Sequence, residues 1–231
     1  MHFTKREVAV NHALLLERNA VLKRFGYDIE QGTDFVLSRA LPLPGRVLEI
    51  GTGKGRFLAA LLRQVPLVTT VDLDAAEQRF ARLNIAFEKP NGKARFVIAD
   101  AVSLPWRESV FDSVISMNAL HHMNELPRVI DELLRIVAPQ GKIVLADLDE
   151  EGLAIFDRVH LQEGRIHPRA TYSFEDLIEH FRTQGWSTVL SRGHRQIVLL
   201  ASKQSASAEL ADGNRFGNQL HLSTLPHGIS E

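Results

Sequence analysis

Val47-Leu48-Glu49-Ile50-Gly51-Thr52-Gly53-Lys54-Gly55-Arg56-Phe57 is an apolar run that meets three alternate glycines and then opens a fresh apolar pattern through Leu58, Leu61 and Leu62. It reads as strand, tight loop and helix. Gly51, Gly53 and Gly55 admit positive φ and place no Cβ between a ligand and the backbone, while the next helix presents unpaired N–H groups. A nucleotide-like ligand fits such a loop. The spacing is G-x-G-x-G rather than the G-x-G-x-x-G of a dinucleotide fold. Glu49 stands two residues before the first glycine, where a carboxylate repels pyrophosphate and suits a ligand that carries an ammonium group.

Outward from the loop, the β-branched run Leu67-Val68-Thr69-Thr70-Val71 predicts a second buried parallel strand. It ends in Asp72, roughly 20 residues past the loop, where a nucleotide fold sets a carboxylate to accept both ribose hydroxyls. A helix is expected over 75–87, with Asp74 and Glu77 as N-terminal charge. A third strand over 94–99 ends in Asp100, placed to accept from an adenine amino group. A fourth strand comes next over 111–118, then a loop with His121 and His122, a helix over 126–137 closed by Ala138-Pro139-Gln140-Gly141, and a fifth strand over 142–146. Strand and helix alternate, which predicts an α/β fold with a parallel sheet.

Before the loop, apolar residues at helical spacing predict two helices between 8 and 40, broken at Phe25-Gly26-Tyr27-Asp28, the second capped at Thr33 and stopped by Pro42 and Pro44. They are expected to cover the sheet more than to lid a site. Near the other end, Ser173 caps a helix running to Gln184, and two strands occupy 186–191 and 196–201. The connection is too short for a parallel crossover, so these two form an antiparallel hairpin at the sheet edge. From Lys203 onward the apolar periodicity stops. The expected division is an N-terminal helical cap at 1–45, a ligand-binding domain at 46–202 and a flexible tail at 203–231.

Bulk properties narrow the function classes. With 231 residues, 45% of them apolar, the chain builds one good core. A net charge of -1 gives no footprint for nucleic acid or an anionic membrane. The absence of cysteine removes disulfides, thiolate metal sites and cysteine nucleophiles, and with no apolar leader or span a cytoplasmic location is expected.

Taken together, the loop, the two strand-end acids, the strand Phe111-Asp112-Ser113-Val114 to Asn118 and the terminal hairpin resemble the class I S-adenosylmethionine-dependent methyltransferases. The resemblance covers about two-thirds of the chain. It implies a Rossmann-like, doubly wound, seven-stranded, mostly parallel sheet with an antiparallel last strand, preceded by helices. It also implies S-adenosyl-L-methionine as cofactor, with Glu49, Gly51, Thr52, Gly53 and Gly55 around its methionine part, Asp72 and Leu73 at the ribose, Asp100 and Ala101 at the adenine, and Asn118 at the end of the fourth strand. The sequence Asn118-Ala119-Leu120-His121-His122 with Pro139-Gln140-Gly141-Lys142 is similar to the branch that methylates small molecules. The Asn/Asp-Pro-Pro-aromatic segment of amino-methylating branches is absent, and Asn118 with two histidines stands where a metal-dependent branch needs acids.

The expected activity is therefore methyl transfer to oxygen, nitrogen or carbon of a small-molecule acceptor. A nicotinamide-dependent oxidoreductase and a non-catalytic binding or scaffold protein remain as alternatives. His121 and His122 are candidates for a general base or for packing against the cofactor; His122 is favoured, on the argument that neighbours in an extended segment point opposite ways. No metal site is expected of His160, His167, His180 and His194, which lie in separate segments. Arg158, Arg165, His167 and Arg169 form either a solvated face or part of a pocket for an anionic substrate.

Overall fold

The computed structural model describes residues 2–166, 169 and 172–203. The tail expected at 203–231 therefore lies, from 204 onward, outside the described residues, as does His167. Seven strands form one sheet: β1 (Val47–Ile50), β2 (Leu67–Asp72), β3 (Lys93–Ile98), β4 (Phe111–Met117), β5 (Val137–Leu148), β6 (Ser187–Gly193) and β7 (Gln196–Ser202). Their order is β3-β2-β1-β4-β5-β7-β6, with only β7 antiparallel to its neighbours. The order reverses between β1 and β4, so the crevice at their carboxyl ends is where a doubly wound sheet receives a ligand.

Helices cover both faces. On one, Val36, Leu37 and Ala40 of α2 (Ile29–Ala40) and Leu58, Leu61 and Leu62 of α3 (Arg56–Gln64) pack over Val47, Val68, Ile115 and Val144. On the other, Val129, Ile130 and Leu133 of α5 (Leu126–Ile136) and Leu177 and Phe181 of α7 (Phe174–Thr183) cover Leu48, Ile50, Val114 and Leu145. A fully buried aliphatic side chain of this kind stabilises by about 1.5–3 kcal/mol, which is why β1 and β2 read as continuous apolar runs. α1 (Lys5–Arg24) starts in a capping box, Thr4 with Glu7, and lies against α4 (Ala75–Glu88) and α6 (Glu150–Gln162). Leu22 and Tyr27 meet Leu148, Ile155 and Val159 in a third, smaller apolar cluster.

Four boundaries differ from the sequence expectation. α2 begins one turn earlier than a Thr33 cap allows, because Asp28 accepts the N–H groups of Glu30 and Gln31 and caps the helix instead. β5 begins at Val137, opposite Phe111; Pro139 has no N–H to donate, and the register with β4 shifts between Phe111 and Ser113 before regular pairing resumes at Lys142. Residues 150–162 form α6, capped by Asp149 on the Gly152 N–H at 2.7 Å. The terminal hairpin closes in two residues, His194 and Arg195, both at positive φ as a tight hairpin turn requires.

Candidate active site

A cleft of about 650 Å³ opens at the carboxyl ends of β1, β2, β3 and β4. The three glycines of the loop do different work. A Cβ at Gly51, which has φ +82°, would stand 2.4 Å from the Cβ of Ala119, so the β1 and β4 ends can meet only without one. Gly53, also at positive φ, has open space where its Cβ would be and forms the floor of the cleft. Gly55 sits against Ala81 of α4 and does not line the cleft; it serves packing, which corrects its placement beside a ligand.

Asp72 at the end of β2 lines the cleft and accepts the Gly53 N–H at 2.7 Å and the Asp74 N–H at 2.9 Å. Leu73, 69% exposed, presents an apolar face beside it. Asp100 and Ala101 line the β3 end, with one Asp100 oxygen accepting from the Val102 N–H and the side chain otherwise exposed. Asn118 sits at φ +55° after β4, its Nδ2 donating to the Tyr27 hydroxyl at 3.1 Å. The other end of this amide, Oδ1, is buried and has no hydrogen-bond partner among the described residues.

Glu49 and Thr52 stand elsewhere. Glu49 is 1% exposed, points away from the cleft and accepts the Thr70 hydroxyl at 2.5 Å; Thr52 Oγ1 lies 2.6 Å from that same hydroxyl, and Gln78 reaches over to Thr52 and to the Val97 carbonyl. Burial pushes the Glu49 carboxyl up to about 8, against which the Thr70 bond acts. Near neutrality it holds its proton, so it does not charge the loop as the sequence leads one to expect. The reason is the strand period: Glu49 falls on the face of β1 opposite Leu48 and Ile50, where Thr70 of β2 is its neighbour.

His121 and His122 occupy a 3-10 turn (Leu120–His122) rather than an extended segment, so their rings do not oppose one another but lie tilted at 54° with centroids 4.0 Å apart, and both line the cleft. Only His121 is buried, at 3% exposure. Its Nδ1 lies 2.6 Å from Asp147 Oδ1, and its own N–H donates to Asp147 Oδ2 at 2.9 Å. Asp147, at the end of β5, also accepts the Leu148 N–H and the Tyr172 hydroxyl at 2.9 Å. Burial and that carboxylate raise the Tyr172 phenol well above its usual range, fixing it as a donor. Neither Asp147 nor Tyr172 is singled out by the sequence; the one available signal is an acid at the carboxyl end of a buried strand, the same signal that identifies Asp72 and Asp100.

The remaining histidines disperse. His160 accepts from Arg18 at 2.7 Å, His180 pairs with Asp131, and His194 meets Gln31. Of the basic cluster, Arg165 lines the cleft, Arg169 pairs with Asp157 and Arg158 is exposed.

Residues 48–145 match a family described as a methyltransferase domain. An uncharacterized methyltransferase of Mycobacterium bovis is 34% identical over 113 residues, 48% of this chain and 55% of that protein, so the match spans about half the length of that relative. Demethylmenaquinone methyltransferase of Thermus thermophilus is 28% identical over 157 residues, 67% of this chain and 68% of its own. Among solved structures, a [4+2]-cyclase, SpnF, overlays with a TM-score of 0.61 at 20% identity, covering 78% of this chain and 83% of its own. A possible histamine N-methyltransferase from Thermotoga maritima gives 0.60 at 19%, covering 86% and 99%.

Proposed function

We propose that the chain is a class I S-adenosylmethionine-dependent methyltransferase, a reading supported by the family match over residues 48–145 and by the methyltransferase relatives, and that it moves a methyl group from S-adenosyl-L-methionine to a small-molecule acceptor in the cytoplasm. The observation that carries this reading is Asp72, reaching the Gly53 N–H over an open glycine floor, where a ribose diol replaces the backbone donor. Leu73 offers an adenine its apolar face and Asp100 an acceptor, while the unpartnered end of Asn118 suits the amino-acid tail. Gly51 completes the approach. Glu49, Thr52 and Gly55 support the loop from behind. When bound, the sulfonium supplies an already activated methyl group, and the protein's task is to hold nucleophile, carbon and sulfur in line.

Where the acceptor must lose a proton, His121 is the base. Asp147 holds its ring by Nδ1, which presents Nε2 as the acid-base atom, and Tyr172 fixes Asp147 in turn. His122, tilted against the His121 ring and exposed, packs against the ligands. The helices of 1–45 cap the methionine end through Arg18 and Tyr27, and residues 203–231 are dispensable for cofactor binding. Among the described residues no helix is long and apolar enough to cross a membrane.

A structural relative is named a cyclase, so the fold alone does not fix the reaction, and the second reading is a protein that keeps the fold as a binding scaffold. A calorimetric titration with S-adenosylhomocysteine, together with transfer of labelled methyl to a metabolite extract, separates them. Binding with transfer supports the enzyme; binding without transfer to any acceptor supports the scaffold. No binding of S-adenosylhomocysteine, with NADH bound instead, reverses the assignment.

A further inference from the structure

Arg18, Lys54, Arg56 and Arg165 all line the side of the cleft built by α1, the loop after β1 and the residues just past α6, and they lie within electrostatic reach of one another. Two carboxylates stand among these four cations. Glu163 pairs with Arg165 and lies 3.3 Å from Arg18 Nη1, and Glu77 acts on Arg18, Lys54 and Arg56 at longer range. Arg56 has no hydrogen bond or ion pair among the described residues, and its Nε and Nη2 are buried without a partner. Burial and the neighbouring Arg18 push its guanidinium down to about 10. Glu77 and Glu163 offset this charge only at longer range, and guanidinium N–H groups buried without a hydrogen-bond partner are costly; such an arrangement persists where an anion completes the site.

The cofactor alone does not supply the missing charge. Its tail brings one carboxylate and one ammonium, and the sulfonium adds a further positive charge, so a loaded cleft is more cationic than an empty one. Phe156 and Ile166 line the same side and offer apolar contact. Resting on the methyl-transfer reading, we infer that the methyl acceptor is an acid with an apolar body, its carboxylate or phosphate held by Arg56 and Arg165. A neutral acceptor leaves the Arg56 guanidinium without an ionic partner in contact. An amine acceptor adds to the repulsion.

The test uses the full chain saturated with S-adenosylhomocysteine and three matched probes: benzoate, phenyl phosphate and neutral benzamide. At least one anion should bind tenfold or more tightly than benzamide, the tighter of the two deciding between carboxylate and phosphate. R56M and R165Q should each reduce that preference to about threefold or less. Arg165 is half exposed, so R165Q keeps the test open if R56M does not fold. Benzamide binding as well as both anions, or R165Q keeping the full preference, overturns the inference. A second arm compares S-adenosylhomocysteine with 5′-methylthioadenosine, which lacks the amino-acid tail. If R56M weakens the first tenfold and leaves the second unchanged, Arg56 serves the cofactor's carboxylate and its assignment to the acceptor is overturned. Failure of the wild-type chain to bind S-adenosylhomocysteine takes down the parent reading instead, an outcome the probe series cannot mimic.

Discussion

The two halves of the cleft are built in opposite ways. The half at the ends of β2 and β3 is local: Asp72, Leu73, Asp100 and Ala101 stand at or just past a strand end, and each side chain is at least partly exposed. The half beyond β4 is assembled from distant segments, with Tyr27, Asn118, His121, Asp147 and Tyr172 buried or partly buried and joined by hydrogen bonds. Solvent-facing acceptors are suited to a ligand part common to every reaction of this class. Buried, mutually oriented groups are suited to the part that differs.

Substitutions in the two halves should therefore separate affinity from turnover. For an acceptor that must lose a proton, His121→Asn or Asp147→Asn should lower kcat by about a hundredfold or more while leaving S-adenosylhomocysteine affinity within about threefold. His122→Asn should leave most of the turnover; a hundredfold loss there with normal His121→Asn turnover reverses the assignment of the base. Asp72→Ala removes charge-assisted hydrogen bonds and should weaken S-adenosylhomocysteine by about thirty- to a hundredfold, as read by calorimetry. Unchanged affinity in that variant breaks the local half of the comparison.

Smaller effects sharpen it. Because the Glu49 carboxyl is raised from its ordinary 4.5 to about 8 by burial, the folded chain keeps a proton that the unfolded chain releases. Its contribution to stability is complete below about pH 4.5 and is lost as the pH rises to about 8. Glu49→Gln should remove that slope, so that chemical denaturation at pH 5.5 and pH 8 differs by less than in the wild type, on the order of 2 kcal/mol. An unaltered slope would place Glu49 ionised beside the loop. Asp100→Ala, losing one exposed acceptor, should cost about three- to tenfold in S-adenosylhomocysteine affinity and, through the lost bond to the Val102 N–H, about 1 kcal/mol or less in stability.

Legibility in the sequence divides along the same line. The glycine loop, Asp72 and Asp100 are legible because the feature and its cause lie within a few residues of each other: a strand ends, and the next residues face the crevice. Glu49 is misplaced by the sequence although its strand is identified, because the period-2 alternation sends it to the face shared with Thr70, a pairing that emerges only once β1 and β2 are in register. The argument that favours His122 over His121 loses its premise for a related reason. The sequence suggests an extended segment where the chain makes a 3-10 turn, and Asp147, the carboxylate that His121 meets, is 26 residues away. α6 has its signals in place, Asp149 as cap directly after β5 with Ile155 and Val159 one turn apart, so this helix is legible, yet the sequence reading passes over it. Arg56 gives no local sign at all, since its lack of a partner is a property of the walls around it.

The phenol of Tyr27 receives Nδ2 of Asn118, 91 residues later in the chain, and Nε2 of Gln196, 169 residues later, at 3.1 Å and 2.8 Å. Synthesis on the ribosome delivers these residues in that order, and β7, carrying Gln196, is the last strand made although it sits between β5 and β6. A nascent chain that has already laid down β1 to β5 thus still exposes the flank of β5 and leaves Tyr27 short of a partner until the hairpin has emerged. Until Gln196 has emerged, Tyr27 has only Asn118 of these two partners and β5 keeps the edge that β7 later covers.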